Sequence, residues 1–435
     1  MATLRNIVKT LIPTGLFKKI EPYGHLGEAI LMNIRYGFPG RKVRIIGVTG
    51  TNGKTTTSFM IHRLLHESGI KVGLLTTVAN GIGDAIVPQS EHITTAQAGV
   101  LQKKLREFAN AGVEWAVVET SSHSLAQHRV WGVPYEIAVM TNITHEHLDY
   151  HGTFENYVEA KRRLFKIANR HGLRFGVINQ QDPSVDKFMQ TVANSTTYGI
   201  GSGKLQATNV KLLADHSTFK ATIGSDSYNI EVNLPGEFNV SNSLAAIAVG
   251  RKLGLSKAEI EKGIAALKGV EGRMHVIDEG QKFQVIIDFA STPDAFERFF
   301  ESVRPLTKGK LIAVFGSAGR RDEAKRVVQG RIAGKFANVV IVTEEDDRDI
   351  DGHQIMTEIA KGVTENGKVE NKDLFLILNR EEAIGFAMTQ ATSKDDVVVL
   401  LGKGHELTIE RADGEYPWNE AEVARAALQA LKKSQ

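Results

Sequence analysis

The chain has 435 residues, 42% of them hydrophobic and 24% charged, with a formal net charge of +3 and no cysteine. That length exceeds what one core usually covers, so two or three domains are expected. The nearly balanced charge argues against a nucleic-acid partner, and the missing cysteines exclude a disulfide frame, a thiolate metal site and a cysteine nucleophile.

The N-terminal MATLRNIVKTLIPTGLFKKIEP carries apolar residues, but Lys and Pro interrupt it before a signal-peptide core can form. No apolar run approaches the roughly 20 residues of a membrane span. The chain therefore reads as cytoplasmic, with no membrane partner. Residues 1–42 hold a helix-like LGEAILMNIRYGF and are too few for a core, so they are expected as a short appendage packed on the next domain. From Val43 onward, short β-branched runs alternate with helical periods: VRIIGVTG, a helix, VGLLTT, AQAGVLQKKLREFANAG, WAVVET, YEIAVMTN. Apolar strands between helices imply an α/β fold whose parallel sheet is covered on both faces. After FGVIN the stretch LQATNVKLLADHSTFKATIGSDSYNIEVNLPG alternates like a small antiparallel section, and FNVSNSLAAIAVGRKLG returns to helix. Near GVEGRMHVID the pattern restarts with five strand candidates, VIIDFA, LIAVFGSAG, VVIVTEED, DLFLIL and DVVVLLGKG. The expected division is thus 1–42, a central domain over 43–274, and a Rossmann-like C-terminal α/β domain over 275–435.

Between VRII and SFMIHRLLHESG lies GVTGTNGKTT, residues 47–56. The glycines let successive backbone N–H groups point inward, where they and the helix N-terminus can cradle oxyanions. Lys54 adds a charge for β- and γ-phosphates, and Thr55 offers a hydroxyl to magnesium. The commonest phosphate loop would carry glycine at position 48, which is Val48, so this is a variant loop. It is read as a nucleotide site; a tight strand-to-helix turn with a solvated lysine is the bland alternative. Glu119 ends the apolar strand WAVVE, where open α/β sheets place ligand groups, and it is a plausible hard oxygen ligand. On spacing alone a solvated strand-end glutamate reads as well. His145, His147 and His151 by themselves read as a zinc cluster, Lys161 in AKRR as a surface lysine, and Asn239 and Asn242 as helix caps or turn formers.

TGTNGKTT resembles the ATP loop of the Mur ligases, which join an amino acid to a carboxylate on a peptidoglycan precursor. Further motifs resemble the MurE type, the UDP-N-acetylmuramoyl-tripeptide synthetases: HITTAQ (92–97), ETSSHSLAQHRV (119–130), TNITHEHLDYHGT (141–153), YVEAKRRLF (157–165), FNVSNSLAA (238–246), GVEGRMHVI (269–277), DFASTPDA (288–295), FGSAGRRDEAKR (315–326) and LGKGHE (401–406). They occur in the family's order over residues 43–410, and the ordered set is the signal. The resemblance implies a P-loop-type ATP-binding central domain and a C-terminal domain that selects the incoming amino acid. It implies an ADP-forming amide ligase of cell-wall synthesis, with ATP and magnesium as cofactors and small-molecule substrates, acting as a monomer.

The roles it implies fall on individual positions. Lys54, Glu119, His147 and Lys161 would be catalytic, with Thr55, Glu119, His147 and a carbamylated Lys161 holding magnesium. Gly50, Thr51, Asn52, Gly53, Lys54, Thr55, Thr56, Asn239, Asn242, Arg273 and Asp288 would bind ATP. Thr94, Thr95, Ser121, Gln127 and Arg129 would grip the muramyl peptide, and Arg321, Arg348, Gly402 and Glu406 the acceptor. The chain departs from the pattern in three places. Ser291 stands where the family carries histidine. VTEEDDRD (342–349) replaces the diaminopimelate-type DNPR motif, so Asp346 and Asp347 stand for Asn and Pro beside Arg348. About 42 residues cannot form the family's uridine-recognising domain, which keeps in view a Mur-like ligase with another donor or acceptor, such as a pseudomurein or folylpolyglutamate ligase. A non-catalytic nucleotide-binding partner protein is the alternative of a different class, and intact Lys54, Glu119, His147 and Lys161 argue against it. A diamino acid acceptor is expected, because Glu406, Asp346 and Asp347 would attract a distal ammonium.

Overall fold

A computed structural model describes residues 14–89, 94–213, 215–320 and 322–433. Its contacts divide the chain into two compact units. The first runs through Lys211 and again over Thr218–Val232 and Phe238–Leu267; the second is built chiefly from Lys268 onward.

In the first unit the strands are β1 (Arg44–Thr49), β2 (Val72–Leu75), β3 (Ala79–Ile82), β4 (Ala85–Pro88), β5 (Trp115–Glu119), β6 (Tyr135–Met140), β7 (Phe175–Asn179), β8 (Asn194–Ile200), β9 (Leu205–Leu212), β10 (Ser217–Ile223) and β11 (Asp226–Val232). They form one sheet in the order β11-β10-β9-β8-β7-β6-β1-β5-β2-β3-β4. β1 runs parallel to both its neighbours, β5 and β6. That position follows from sequence: β1 and β5 are near-continuous apolar runs, and strands buried on both faces must be so. The segments expected as a small antiparallel section extend this sheet as β9, β10 and β11. β3 and β4 form an antiparallel edge that the sequence pattern did not signal.

Five helices matter for the site: α1 (Thr14–Tyr36), α2 (Lys54–Glu67), α3 (Ala98–Asn110), α4 (Phe154–Ala168) and α5 (Glu237–Lys252). α1 starts well before Leu26, the first residue of the expected helix, and fully buried Asn33 ties it down by donating to the Trp131 carbonyl at 2.8 Å. α4 carries an apolar stripe of Tyr157, Val158, Leu164 and Phe165 into a core shared with Ile45, Val118 and Ala138.

The second unit holds β12 (His275–Ile277), β13 (Gln284–Asp288), β14 (Leu311–Phe315), β15 (Val339–Val342), β16 (Leu374–Leu376) and β17 (Val397–Leu401), ordered β12-β13-β17-β14-β15-β16. The five strands expected from sequence are all present and parallel, with β12 as an antiparallel edge. A hairpin of β18 (Thr408–Arg411) and β19 (Gly414–Pro417) stands apart from that sheet. Among the described residues no helix is long and apolar enough to cross a membrane.

Candidate active site

The loop after β1 is held in a fixed shape by the strand beside it. Thr51 N–H donates to the Asn142 carbonyl at 2.7 Å and Asn52 N–H to Asn142 Oδ1 at 3.0 Å. Thr141 Oγ1 and Asn142 Nδ2 both donate to the Asn52 carbonyl, at 2.6 and 3.1 Å. Thr51 Oγ1 meets the Tyr157 hydroxyl at 3.0 Å. Thr141, Asn142 and Tyr157 lie inside family-like motifs, yet sequence reasoning gave them no part in the site. The usable signal was that Thr141 and Asn142 directly follow β6, the neighbour of β1, just as Glu119 ends β5.

Two glycines are required here. Gly50 has φ +154°, and a Cβ on it would lie 1.8 Å from Thr141 Oγ1; Gly53 has φ +81°, and a Cβ there would lie 2.4 Å from Asn242 Oδ1. Gly50→Ala is therefore expected to abolish nucleotide binding measured by calorimetry while far-UV circular dichroism stays native. Gly385→Ala, a helical position with open space around it, is the matched control and should keep binding.

Lys54 starts α2, and its Nζ donates to the Thr51 carbonyl at 2.7 Å. Buried Thr55 donates through Oγ1 to Glu119 Oε2 at 3.0 Å, and Thr77 N–H donates to the same oxygen at 3.0 Å. Glu119 is thus a buried, oriented carboxylate and not a solvated strand end. Lys161 is not a surface lysine either: it is 1% exposed, and its Nζ donates to the Gly50 carbonyl at 2.6 Å. Burial, and then the charge of Lys54, push its ammonium well below the ordinary lysine pKa, against the pull of Glu146, Glu119 and Asp182. Thr56 is buried behind the loop.

His147 lies further out. It is 43% exposed, adopts a left-handed backbone at φ +56°, and its ring packs edge-on to His123 and Tyr157. Tyr157 in turn links it to the loop through Thr51. His145 stacks on Phe154, while His151 Nε2 meets Ser122 Oγ at 3.1 Å. Among the described residues no three His, Asp or Glu groups are placed to hold a metal ion, and the three histidines expected as a zinc cluster pack against different partners. Hard oxygen donors at the loop fit a magnesium ion better: the Thr55 hydroxyl and the Glu119 carboxylate are already adjacent.

Asn239 and Asn242 are not caps. Both are buried within α5, where Asn242 Oδ1 accepts from Thr57 Oγ1 at 3.2 Å and Asn242 Nδ2 donates to Asn239 Oδ1 at 3.1 Å. They brace the back of the loop at Gly53. On the other side of Glu119, Thr94 and Thr95 line a pocket with Leu75, Thr76 and Lys104. Thr95 Oγ1 donates to the Glu119 carbonyl at 3.0 Å, and Ser121 N–H donates to Thr95 Oγ1 at 2.9 Å. Arg129, 5% exposed, donates to the Thr95 carbonyl, and Gln127 hydrogen-bonds the Tyr150 hydroxyl. The Arg129 guanidinium is therefore buried against the backbone of Thr95 and is not a surface arginine. His92, at the start of HITTAQ, lies outside the described residues.

The second unit carries its own polar cluster. Arg273 lies over the Phe289 ring at 4.6 Å, and Asp288 accepts from the Met274 and Ala290 N–H groups at 2.8 Å each. The Ser291 carbonyl accepts from Lys325 Nζ at 3.2 Å and Gln329 Nε2 at 3.0 Å. Lys403, 1% exposed, bridges Asp346 Oδ1 and Glu406 Oε2 at 2.7 Å each, which offsets the charge that Asp346 and Glu406 were expected to offer an ammonium. Burial pushes Asp347 up to about 6, aided by Glu344, Glu345 and Asp346 and opposed by the Glu345 N–H. Gly402 takes φ +102°, and a Cβ there would lie 2.6 Å from Glu345 Oε2. Arg348 is engaged by Glu410 and Gly319, and Arg321 lies outside the described residues.

The sequence matches the Mur ligase middle domain over residues 48–250 and the Mur ligase glutamate ligase domain over residues 272–404. It is 41% identical to a UDP-N-acetylmuramyl-tripeptide synthetase of Roseiflexus sp. (strain RS-1), over 94% of this chain and 83% of that one. It is 38% identical to a UDP-N-acetylmuramoyl-L-alanyl-D-glutamate–2,6-diaminopimelate ligase of Clostridium tetani, over 93% of this chain and 81% of the relative. A solved structure of a 2,6-diaminopimelate ligase of the same description superposes with a TM-score of 0.64 at 33% identity, covering 90% of this chain and 79% of that one. Two matched domains and relatives this similar along nearly the whole sequence place the site described above in a known setting: the chain belongs to the Mur ligase family of ATP-dependent amide ligases.

Proposed function

We propose that this chain is a MurE-type ligase of peptidoglycan synthesis. It activates a carboxylate of a UDP-N-acetylmuramoyl dipeptide with ATP and joins a diamino acid to it. The observation that carries the reading is the braced glycine loop with Lys54, Thr55 and Glu119 at its mouth and buried Lys161 on its Gly50 carbonyl. Relatives bearing tripeptide-synthetase and diaminopimelate-ligase names favour this over a folylpolyglutamate or pseudomurein ligase.

In this reading residues 43–274 bind ATP and residues 275–435 select the acceptor. The loop N–H groups from Gly53 into the first turn of α2 hold the phosphates, those of Thr51 and Asn52 being taken by Asn142, and Asn239 and Asn242 support the loop; the family resemblance assigns Arg273 and Asp288 to ATP as well. Thr94, Thr95, Ser121, Gln127 and Arg129 hold the muramyl peptide. Thr55, Glu119, His147 and a carbamylated Lys161 would hold magnesium, which would neutralise phosphate charge and orient the transferring group. Lys54 stabilises charge on the γ-phosphoryl group as it moves to the carboxylate oxygen, giving an acyl phosphate and ADP. The acceptor amine then attacks the acyl carbon, the C–N bond forms, and phosphate leaves. Positioning and electrostatics carry most of such a transfer.

A coupled assay of phosphate release, run with several donors against a panel of amino acids, tests this. Release should require both the UDP-muramoyl dipeptide and a diamino acid. Release that needs a folate or a pseudomurein precursor instead would overturn the donor assignment.

A further inference from the structure

Two of the three guanidinium nitrogens of Arg348 are already engaged by other groups of the chain, and the third faces an acid. Its Nη1 donates to the Gly319 carbonyl at 2.6 Å, its Nε pairs with the Glu410 carboxylate, and its Nη2 faces Asp346 Oδ2 at 4.0 Å. The backbone repeats the link: Arg348 N–H donates to the Glu410 carbonyl at 3.1 Å, and Glu410 N–H to Asp346 Oδ1 at 3.0 Å. Glu410 sits on β18, in a hairpin outside every family-like motif of the sequence. Arginine grips a carboxylate best through two parallel N–H bonds, and here the edge made by Nε and Nη2 is faced by acids of the chain itself.

We propose that Glu410 sets acceptor choice by occupying Arg348, so that the enzyme selects an acceptor with a distal ammonium and no distal carboxylate. This rests on the reading that the second unit selects the acceptor. A tethered carboxylate competes at an effective concentration on the order of millimolar, so a ligand carboxylate must displace it before gaining anything. The surrounding charge points the same way. Lys403 is one cation shared by two acids, Asp346 and Glu406, which leaves that trio with a net negative charge. Glu344 is matched by Arg411, at 2.8 Å on both oxygens. Glu345, 6% exposed, has an Oε2 with no hydrogen-bond partner. The unbalanced charge is negative, and an ammonium complements it.

The test measures kcat and KM for L-lysine and meso-diaminopimelate in the full-length enzyme, with donor and ATP saturating. Wild type should prefer lysine at least tenfold in kcat/KM, with most of the difference in KM. Glu410→Gln should narrow that ratio at least tenfold by lowering the diaminopimelate KM, Glu410→Asp should restore much of the preference, and adding Arg348→Ala to Glu410→Gln should erase the gain. A wild type that prefers diaminopimelate overturns the proposal without any variant having to fold, as does a ratio that Glu410→Gln leaves unmoved. Absence of acceptor-dependent phosphate release with every amino acid would instead sink the ligase reading beneath it.

Discussion

Lys54→Ala should reduce acceptor-dependent phosphate release by roughly 100- to 1,000-fold, the loss typical of removing one preorganised charge-stabilising donor, about 2.7–4 kcal/mol in barrier. The reason is positional. Lys54 is the first residue of α2, directly after Gly53, and the loop that fixes it is tied to β6 by Asn142 and Thr141. Its Nζ rests on the Thr51 carbonyl, a neutral acceptor that a phosphate oxygen can replace at little cost. Lys161 cannot stand in for it: that side chain is committed to the Gly50 carbonyl, and burial disfavours its charged form. Calorimetry on the same variant separates ground-state binding from the chemical step. A retained ATP affinity with lost turnover would assign the charge to the transferring group. Activity within about tenfold of wild type, roughly 1.4 kcal/mol, would sink the assignment.

How far each feature was legible in the sequence depends on how locally it is encoded. Strands β1, β5, β14 and β17 are near-continuous apolar runs closed by Gly, Thr or Glu, so both their existence and their buried position could be read directly. The hairpin β18–β19 could not: TIER and GEYP are short and mostly polar, and GEYP is exposed throughout. Asn239 and Asn242 misled because FNVSN is rich in turn formers, yet α5 already begins at Glu237 and turns both amides inward. Lys161 was unreadable from AKRR alone, since only the packing of α4 against the loop decides that this one lysine is buried while Arg162 and Arg163 stay part-exposed. The Arg348–Glu410 pair spans 62 residues, a separation at which no local pattern speaks.

Lys161 also carries the second large expectation, that it is carbamylated in the active enzyme. The reaction joins an unprotonated ε-amine to CO2 and releases one proton, so it needs a lysine that is neutral near pH 7. Burial, and after it the charge of Lys54, shift the amine in that direction. Stability should report the same shift. The unfolded lysine holds a proton that the folded one releases, so the unmodified protein should gain stability as pH rises toward the ordinary lysine pKa of about 10.4. A carbamate keeps one N–H for the Gly50 carbonyl and gains a carboxylate near Lys54, an attraction that the neutral amine lacks. Native mass spectrometry after equilibration with bicarbonate should show one added CO2, lost on acidification and absent in Lys161→Ala. That variant should lose most activity, and acetate or formate should restore part of it by supplying a small carboxylate to the vacated space. An unmodified Lys161 in bicarbonate, together with a fully active alanine variant, would show that the buried amine serves only to hold the loop.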